Sequence, residues 1–256
     1  MADRDQYAHG TPNWVDLQTS DQAGAKKFYT SLFGWDYDEQ PMGDDAVYSM
    51  GTIRGRHAAA IAPLPPQQGI PPHWNTYVAV DDVDAVAGRV PEAGGTVVMP
   101  PMDVMDAGRM LVMQDPTGAM ICAWQAKNNI GSQVVNEPGA FTWSELSTSD
   151  VDKAAAFYNK VFGWEPQKFP EMNDYTVFNN EGTGIGGAMQ SPVEGMPSYW
   201  LVYFDVADTD ATVQKARESG GTVMVEPTDI PTVGRFAVLT DPQGAAFAVI
   251  KSETPQ

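Results

Sequence analysis

The side chains able to do acid–base or ligand chemistry fall into two sets: Trp14, Asp16, His73, Asn75, Tyr77, Arg109, Cys122 and Trp124, then Trp143, Glu145, Tyr203 and Arg235. In a strand, residues two apart share a face, which places Asp16 beside Trp14 and Glu145 beside Trp143. A carboxylate held against an indole in a low-dielectric pocket has its pKa raised and can act as general base or acid. The same acid can equally be structural, accepting hydrogen bonds from a neighbouring strand or pairing with an arginine. His73 shares a face with Asn75 and Tyr77; together with Asp16 and Glu145 it completes the candidate catalytic groups. His9 lies near the start and His57 opens a short strand. No second histidine or cysteine is spaced to complete a metal or nucleophile constellation. Cys122 reads as a small buried hydrophobe, with a nucleophile role left open. Arg109 and Arg235 each follow a glycine at a strand start. They read either as clamps on a ligand carboxylate or enolate, or as partners of Asp106, Asp229 or the first-strand acid. Trp14, Tyr77, Trp124, Trp143, Tyr199 and Tyr203 offer stacking surfaces to a flat ligand.

These residues need strands to hold them. Residues 14–19 alternate, with Val15, Leu17 and Thr19 opposite Trp14, Asp16 and Gln18. Ser20-Asp21 caps a helix in which Ala25, Phe28, Tyr29 and Leu32 recur at three- and four-residue spacing until Gly34. Residues 47–53 and 57–62 read as strands closed by the proline-rich stretch 63–72. Residues 75–80 read as a strand, 82–93 as a helix, and 108–113 with 119–124 as a hairpin around Asp-Pro-Thr-Gly, which suits a type I turn.

The chain is written twice. Trp-Val-Asp-Leu-Gln-Thr-Ser-Asp from Trp14 returns as Trp-Ser-Glu-Leu-Ser-Thr-Ser-Asp from Trp143, and Phe33-Gly34-Trp35 returns as Phe162-Gly163-Trp164. Further on, Trp74 matches Trp200, Gly94-Gly95-Thr96-Val97 matches Gly220-Gly221-Thr222-Val223, and Asp115-Pro116-Thr117-Gly118 matches Asp241-Pro242-Gln243-Gly244. An ordered set of this length marks internal duplication. The expected division is a domain over 1–128, a linker over 129–139 and a second domain over 140–256. Each half reads as two βαβββ units, an α+β architecture whose halves pack together within a monomer, with a dimer left open.

Composition narrows the partners. With 33 acidic against 15 basic residues, the net charge of −18 opposes nucleic acid and anionic membrane and favours neutral or cationic ligands. The single cysteine allows no internal disulfide. The start has neither a basic nor an apolar leader region, and no run approaches about 18 apolar residues, so a cytoplasmic protein is expected.

The motifs Leu-x-Thr-x-Asp, Phe-Tyr-x-x-x-Phe-Gly-Trp, Ala-Val-Asp-Asp-Val-Asp-Ala, Gly-Gly-Thr-Val and Asp-Pro-x-Gly, in this order and largely duplicated, resemble the vicinal oxygen chelate superfamily of glyoxalase I, bleomycin-resistance proteins and extradiol dioxygenases. Within it the chain is similar to tandem glyoxalase-like proteins of high-GC bacteria labelled hydroxylases or antigens. The resemblance implies curved mixed sheets enclosing cavities. It also implies metal-ligand positions, and these fall on Trp14, Asn75 and Cys122 in one half and on Trp143, Leu201 and Ala248 in the other. The looser fourth-strand positions, 59–61 and 186–188, hold no ligand. No metal and no cofactor are therefore expected. The function that follows is binding of an aromatic or apolar small molecule, for sequestration, carriage or resistance. The alternative is a metal-independent enzyme using a cavity carboxylate or histidine. The first half, richer in polar groups at these positions, is expected to hold the better site.

Overall fold

A computed structural model describes residues 2–43, 46–64, 69–172 and 174–253. A short strand β1 (Ala2–Asp3) precedes the first half, which runs β2 (Pro12–Thr19), α1 (Gln22–Phe33), β3 (Asp36–Gly43), β4 (Ala46–Ile53), β5 (Arg56–Pro63), β6 (His73–Ala79), α2 (Val83–Glu92), β7 (Thr96–Val104), β8 (Gly108–Gln114) and β9 (Met120–Ala126). Strand β10 (Val134–Val135) lies between the halves. The second half repeats the order as β11 (Phe141–Thr148), α3 (Val151–Phe162), β12 (Glu165–Phe169), β13 (Tyr175–Asn180), β14 (Thr183–Gln190), β15 (Tyr199–Asp205), α4 (Thr209–Glu218), β16 (Thr222–Ile230), β17 (Gly234–Thr240) and β18 (Ala246–Ser252). The expected four βαβββ units are present, and their strands form two curved eight-stranded mixed sheets. Of the proline-rich stretch, residues 65–68 lie outside the described residues.

In the first sheet the order is β3-β4-β5-β2-β6-β9-β8-β7, with the two units joined by the antiparallel pair β2–β6. The parallel neighbours β5 of β2 and β9 of β6 complete the centre. The second sheet copies this arrangement around β11–β15. All four main helices start alike: Asp21, Asp82, Asp150 and Asp208 each accept a backbone N–H three residues on, at 2.9 Å. Gly34 and Gly163, both left-handed, end α1 and α3.

The outer faces of the sheets build the two large apolar cores, and each of these is shared between halves. Val15, Leu17, Phe28, Tyr29, Trp35 and Trp74 pack with Val202, Phe204, Phe247 and Val249. Val86, Leu111 and Ile121 pack with Phe157, Tyr158, Trp164 and Phe178. Hydrogen bonds cross reciprocally. Trp74 donates to the Tyr29 hydroxyl at 3.0 Å, and Tyr29 donates to Asp241 at 3.1 Å. In mirror fashion Trp200 donates to Tyr158 and Tyr158 to Asp115, both at 2.9 Å. The Trp35 indole reaches the Gly139 carbonyl at 2.8 Å and the Trp164 indole the Gly10 carbonyl at 2.6 Å. Both glycines have φ near +80 to +90°, and a Cβ on Gly139 would lie 2.9 Å from the Phe33 carbonyl oxygen.

The segment between the halves differs from the expected polar linker. Ser132, Val134 and Val135 are buried, β10 pairs with β1, and Asn13 donates to the Ile130 carbonyl at 2.8 Å. Its two valines draw it into the first core despite its polar flanks.

Candidate functional site

The inner face of β2 turns Trp14 and Asp16 into the concavity of the first sheet, as alternation requires, while Val15 and Leu17 face the helices. Register sets Asp16 opposite Asn75 and Ala60, Trp14 opposite Tyr77, and Tyr77 beside Cys122. Asp16 is the centre of a hydrogen-bond cluster. Asn75 donates to Oδ1 at 2.8 Å, and the hydroxyls of Tyr48 and Tyr77 donate to Oδ2 at 2.9 and 3.0 Å. Trp14 donates its indole N–H to the Tyr48 oxygen at 2.8 Å. Since Tyr48 has one proton to give, this indole fixes the direction in which it gives it. Around the cluster stand Met50, Ala60, Cys122 and Trp124, with Met110 and Val112 on the flank.

The second sheet builds the same device. Tyr175 donates to Glu145 Oε2 at 2.9 Å, Tyr203 donates to Oε1 at 3.0 Å, and Trp143 donates to the Tyr175 oxygen at 3.1 Å. Leu201 stands where the first half has Asn75, so the third donor is missing and the longer glutamate reaches the tyrosines. Gly187 pairs with Glu145, and a Cβ there would fall onto the Tyr175 phenol. The two clusters differ in access. Asp16 is 2% exposed, whereas Glu145, Trp143 and Tyr175 are half-buried.

Burial raises the Asp16 pKa above the usual carboxylate range, against the lowering effect of its Asn75 and tyrosine donors. Glu145 is raised for the same reason, opposed by Tyr175 and Tyr203. The four tyrosines are pushed well above their ordinary value by burial and by the adjacent carboxylate, and they act as neutral donors. Burial, reinforced by Asp16, also raises the Cys122 thiol, which disfavours the thiolate a nucleophile would need. A carboxyl whose pKa is raised by folding stabilises the native state below its unfolded pKa, and that stability is lost as pH rises through the folded pKa. Asp16→Asn, which keeps the shape without the charge, is therefore expected to gain thermal stability relative to wild type as pH rises from about 4 to 8. Melting curves across that range check it; a difference independent of pH would show that the buried charge carries no cost.

Other candidates lie elsewhere. Arg109 forms a two-pronged pair with Asp84 at 2.9 Å and approaches Asp103 at 3.7 Å; Asp106 instead accepts from Asn128. Arg235 likewise binds Asp210, at 2.6 and 2.9 Å, and Asp229 at 2.9 Å. Both guanidiniums thus tie hairpins to the first turn of a helix rather than meeting the carboxylate clusters. His73 is near enough to Asp16 to favour its charge, but its Nδ1 lies 2.9 Å from the Pro71 carbonyl. Trp124 donates to the Asn129 carbonyl and sets its ring edge-to-face with Tyr77. Tyr48 and Tyr175 complete the clusters and were not among the sequence-derived candidates. Their signal was there: both sit on strands, β4 and β13, at matching places in the two halves.

The sequence profile of the Glyoxalase/Bleomycin resistance protein/Dioxygenase superfamily matches residues 11–123 and again 140–249. The chain belongs to this superfamily. A relative in Mycobacterium tuberculosis, CFP32, provisionally named a glyoxylase, is 53% identical over 261 residues, with all of both chains covered. The anthracycline biosynthesis protein DnrV of Streptomyces peucetius is 38% identical, covering 96% of this chain and 94% of its own. DauV of Streptomyces sp. strain C5, also named an anthracycline biosynthesis protein, is 37% identical with the same coverage. Among solved structures, the Mn(II)-bound glyoxalase of Novosphingobium aromaticivorans superposes with a TM-score of 0.64 at 17% identity, over 98% of this chain and 87% of that one. The 2,3-dioxygenase LapB of Pseudomonas sp. KL28 gives 0.65 at 13%, over 98% and 95%. At such identities the structures share the fold alone.

A divalent metal, held by some superfamily members, does not fit the residues here. Among the described residues no group of three or more His, Cys, Asp and Glu is placed to hold one. At each centre a single carboxylate is already surrounded by N–H and O–H donors, the opposite of what a cation requires. No helix among the described residues is long and apolar enough to cross a membrane.

Proposed function

We propose that the chain binds an aromatic or otherwise apolar small molecule on its concave faces, without a metal, as a sequestering, carrying or resistance protein. The observation that carries this is the repeated Trp–Tyr–carboxylate–Tyr cluster set among apolar and aromatic walls. A mostly apolar lining with a few convergent polar groups is the usual make-up of a ligand site. The relatives named for anthracycline biosynthesis support a flat polycyclic ligand. The raised carboxylate pKa values favour a second function, a metal-independent enzyme in which Asp16 or Glu145 removes a proton from an enolisable substrate.

Native mass spectrometry of the purified protein, before and after exhaustive chelation, tests the proposal. An apolar or aromatic mass is expected to co-purify and survive chelation, with far less than one transition metal per chain. A stoichiometric metal whose removal releases the ligand would overturn it. Turnover of the captured compound, lost in Glu145→Gln or Asp16→Asn, would select the enzyme.

A further inference from the structure

The small-molecule proposal leaves open which cup is used and what the ligand carries. Resting on that proposal, we infer that the second-half cup is the working site and that it takes a planar aromatic bearing a hydroxyl, whose O–H is donated to Glu145.

Access comes first. Tyr48 and Asn75 of the first cup are half-buried, and Tyr203 and Ala248 of the second are as buried as Tyr77 and Cys122, so the difference lies at the indole and the carboxylate: Trp14 and Asp16 are 4% and 2% exposed. In the second, Trp143, Tyr175 and Glu145 are half-buried and Tyr199 is 36% exposed. The floor also differs in what fills it: Ala248 stands beside Tyr203 where the first sheet has Cys122 beside Tyr77, and at Gly187, beside Glu145, the Tyr175 phenol occupies the space a Cβ would take.

Hydrogen-bond capacity points the same way. A carboxylate offers about four acceptor positions. Asp16 has accepted three donors, whereas Glu145 has accepted one on each oxygen and has Leu201 in place of the third. Two residues along the same face Ser147 is buried, and its hydroxyl has the Tyr199 phenol as its neighbouring polar group. The cup therefore offers an accepting carboxylate and a hydroxyl able to give or take, between the rings of Trp143 and Tyr199. A flat ring with an O–H directed at Glu145 uses all of these.

An anionic ligand is disfavoured. The arginine that would attract it, Arg235, is bound to Asp210 and Asp229, and the chain carries a net charge of −18. A neutral phenol, able to donate, is the class that remains.

Equilibrium dialysis with 2-naphthol and 2-methoxynaphthalene tests the inference, because the methyl ether keeps the rings and loses the proton. At pH 7 the wild-type chain is expected to prefer the naphthol by about tenfold, the order of one hydrogen bond to a charged group. Glu145→Gln should reduce that preference to within about threefold while the ether still binds. The site is located on unaltered protein from its indole N–H resonances, where 2-naphthol should shift Trp143 and leave Trp14 in place. Equal wild-type binding of both rings, an undiminished preference in Glu145→Gln, or shifts at Trp14 alone would overturn the inference while small-molecule binding stood. Failure of both rings to bind would remove the small-molecule proposal with it.

Discussion

Made as separate chains, residues 1–130 and 138–256 should each fail to fold as a monomer, and mixing them should restore structure. Neither half owns either of the two large cores. Phe28, Tyr29, Trp35 and Trp74 from the first are buried against Phe204, Phe247 and Val249 from the second, and Phe157, Tyr158 and Trp164 return the favour against Val86, Leu111 and Ile121. Each such side chain left in water forfeits roughly 1.5–3 kcal/mol, so losing several exceeds the roughly 5–15 kcal/mol that stabilises a domain. Circular dichroism should show unfolded or self-associated fragments, and sedimentation should show a one-to-one complex on mixing. Two monodisperse monomers with cooperative melting would show that the shared cores are dispensable.

The largest single-site loss is expected at Asp115 and its counterpart Asp241. Asp115 accepts the N–H and hydroxyl of Thr117, both at 2.7 Å, the N–H of Ala119 at 3.1 Å, and the Tyr158 hydroxyl of the other half. Asp241 accepts from Gln243, Ala245 and Tyr29. The residue that shapes the hairpin turn is thus also the one that fastens the halves. Asp115→Ala strands several buried donors, each at about 1–3 kcal/mol, and should lower unfolding free energy by about 3–5 kcal/mol in urea. Tyr158→Phe, which leaves the turn intact, should cost less, about 1–3 kcal/mol. If the two losses were equal, the turn bonds would contribute nothing.

Much of this architecture could be read from residues. The repeated tryptophan, Asp-Pro-x-Gly and Phe-Gly-Trp motifs located the units, and alternation in residues 14–19 correctly turned Asp16 inward and Leu17 outward. The edge strands β3 and β7 were not read one by one, because Pro41, Pro100 and Pro101 interrupt alternation and most of their residues are exposed. Tyr48 and Tyr175 escaped because an inward tyrosine on a strand resembles any core aromatic until a carboxylate is known to face it. Of the arginine partners, Asp229 of Arg235 was legible from its nearness in the chain, whereas Asp84 and Asp210 lie 25 residues from Arg109 and Arg235 on helices, a distance that local spacing does not bridge. Polarity alone favoured the first half as the better site. It could not reveal that Asp16 already accepts from Asn75, Tyr48 and Tyr77.

The reciprocal bonds from Trp35 to Gly139 and from Trp164 to Gly10 make one polypeptide serve as both members of a pair. A joining segment replaces encounter in solution with a fixed effective concentration, so assembly has no dilution threshold. Each position in the pair is also encoded independently. A substitution in one copy leaves its counterpart untouched, as Asn75 against Leu201 and Cys122 against Ala248 already show. Covalent pairing thereby releases one cup from the demands of the other: the first can harden into scaffold while the second drifts toward a new ligand, at no cost to the contact that keeps them together.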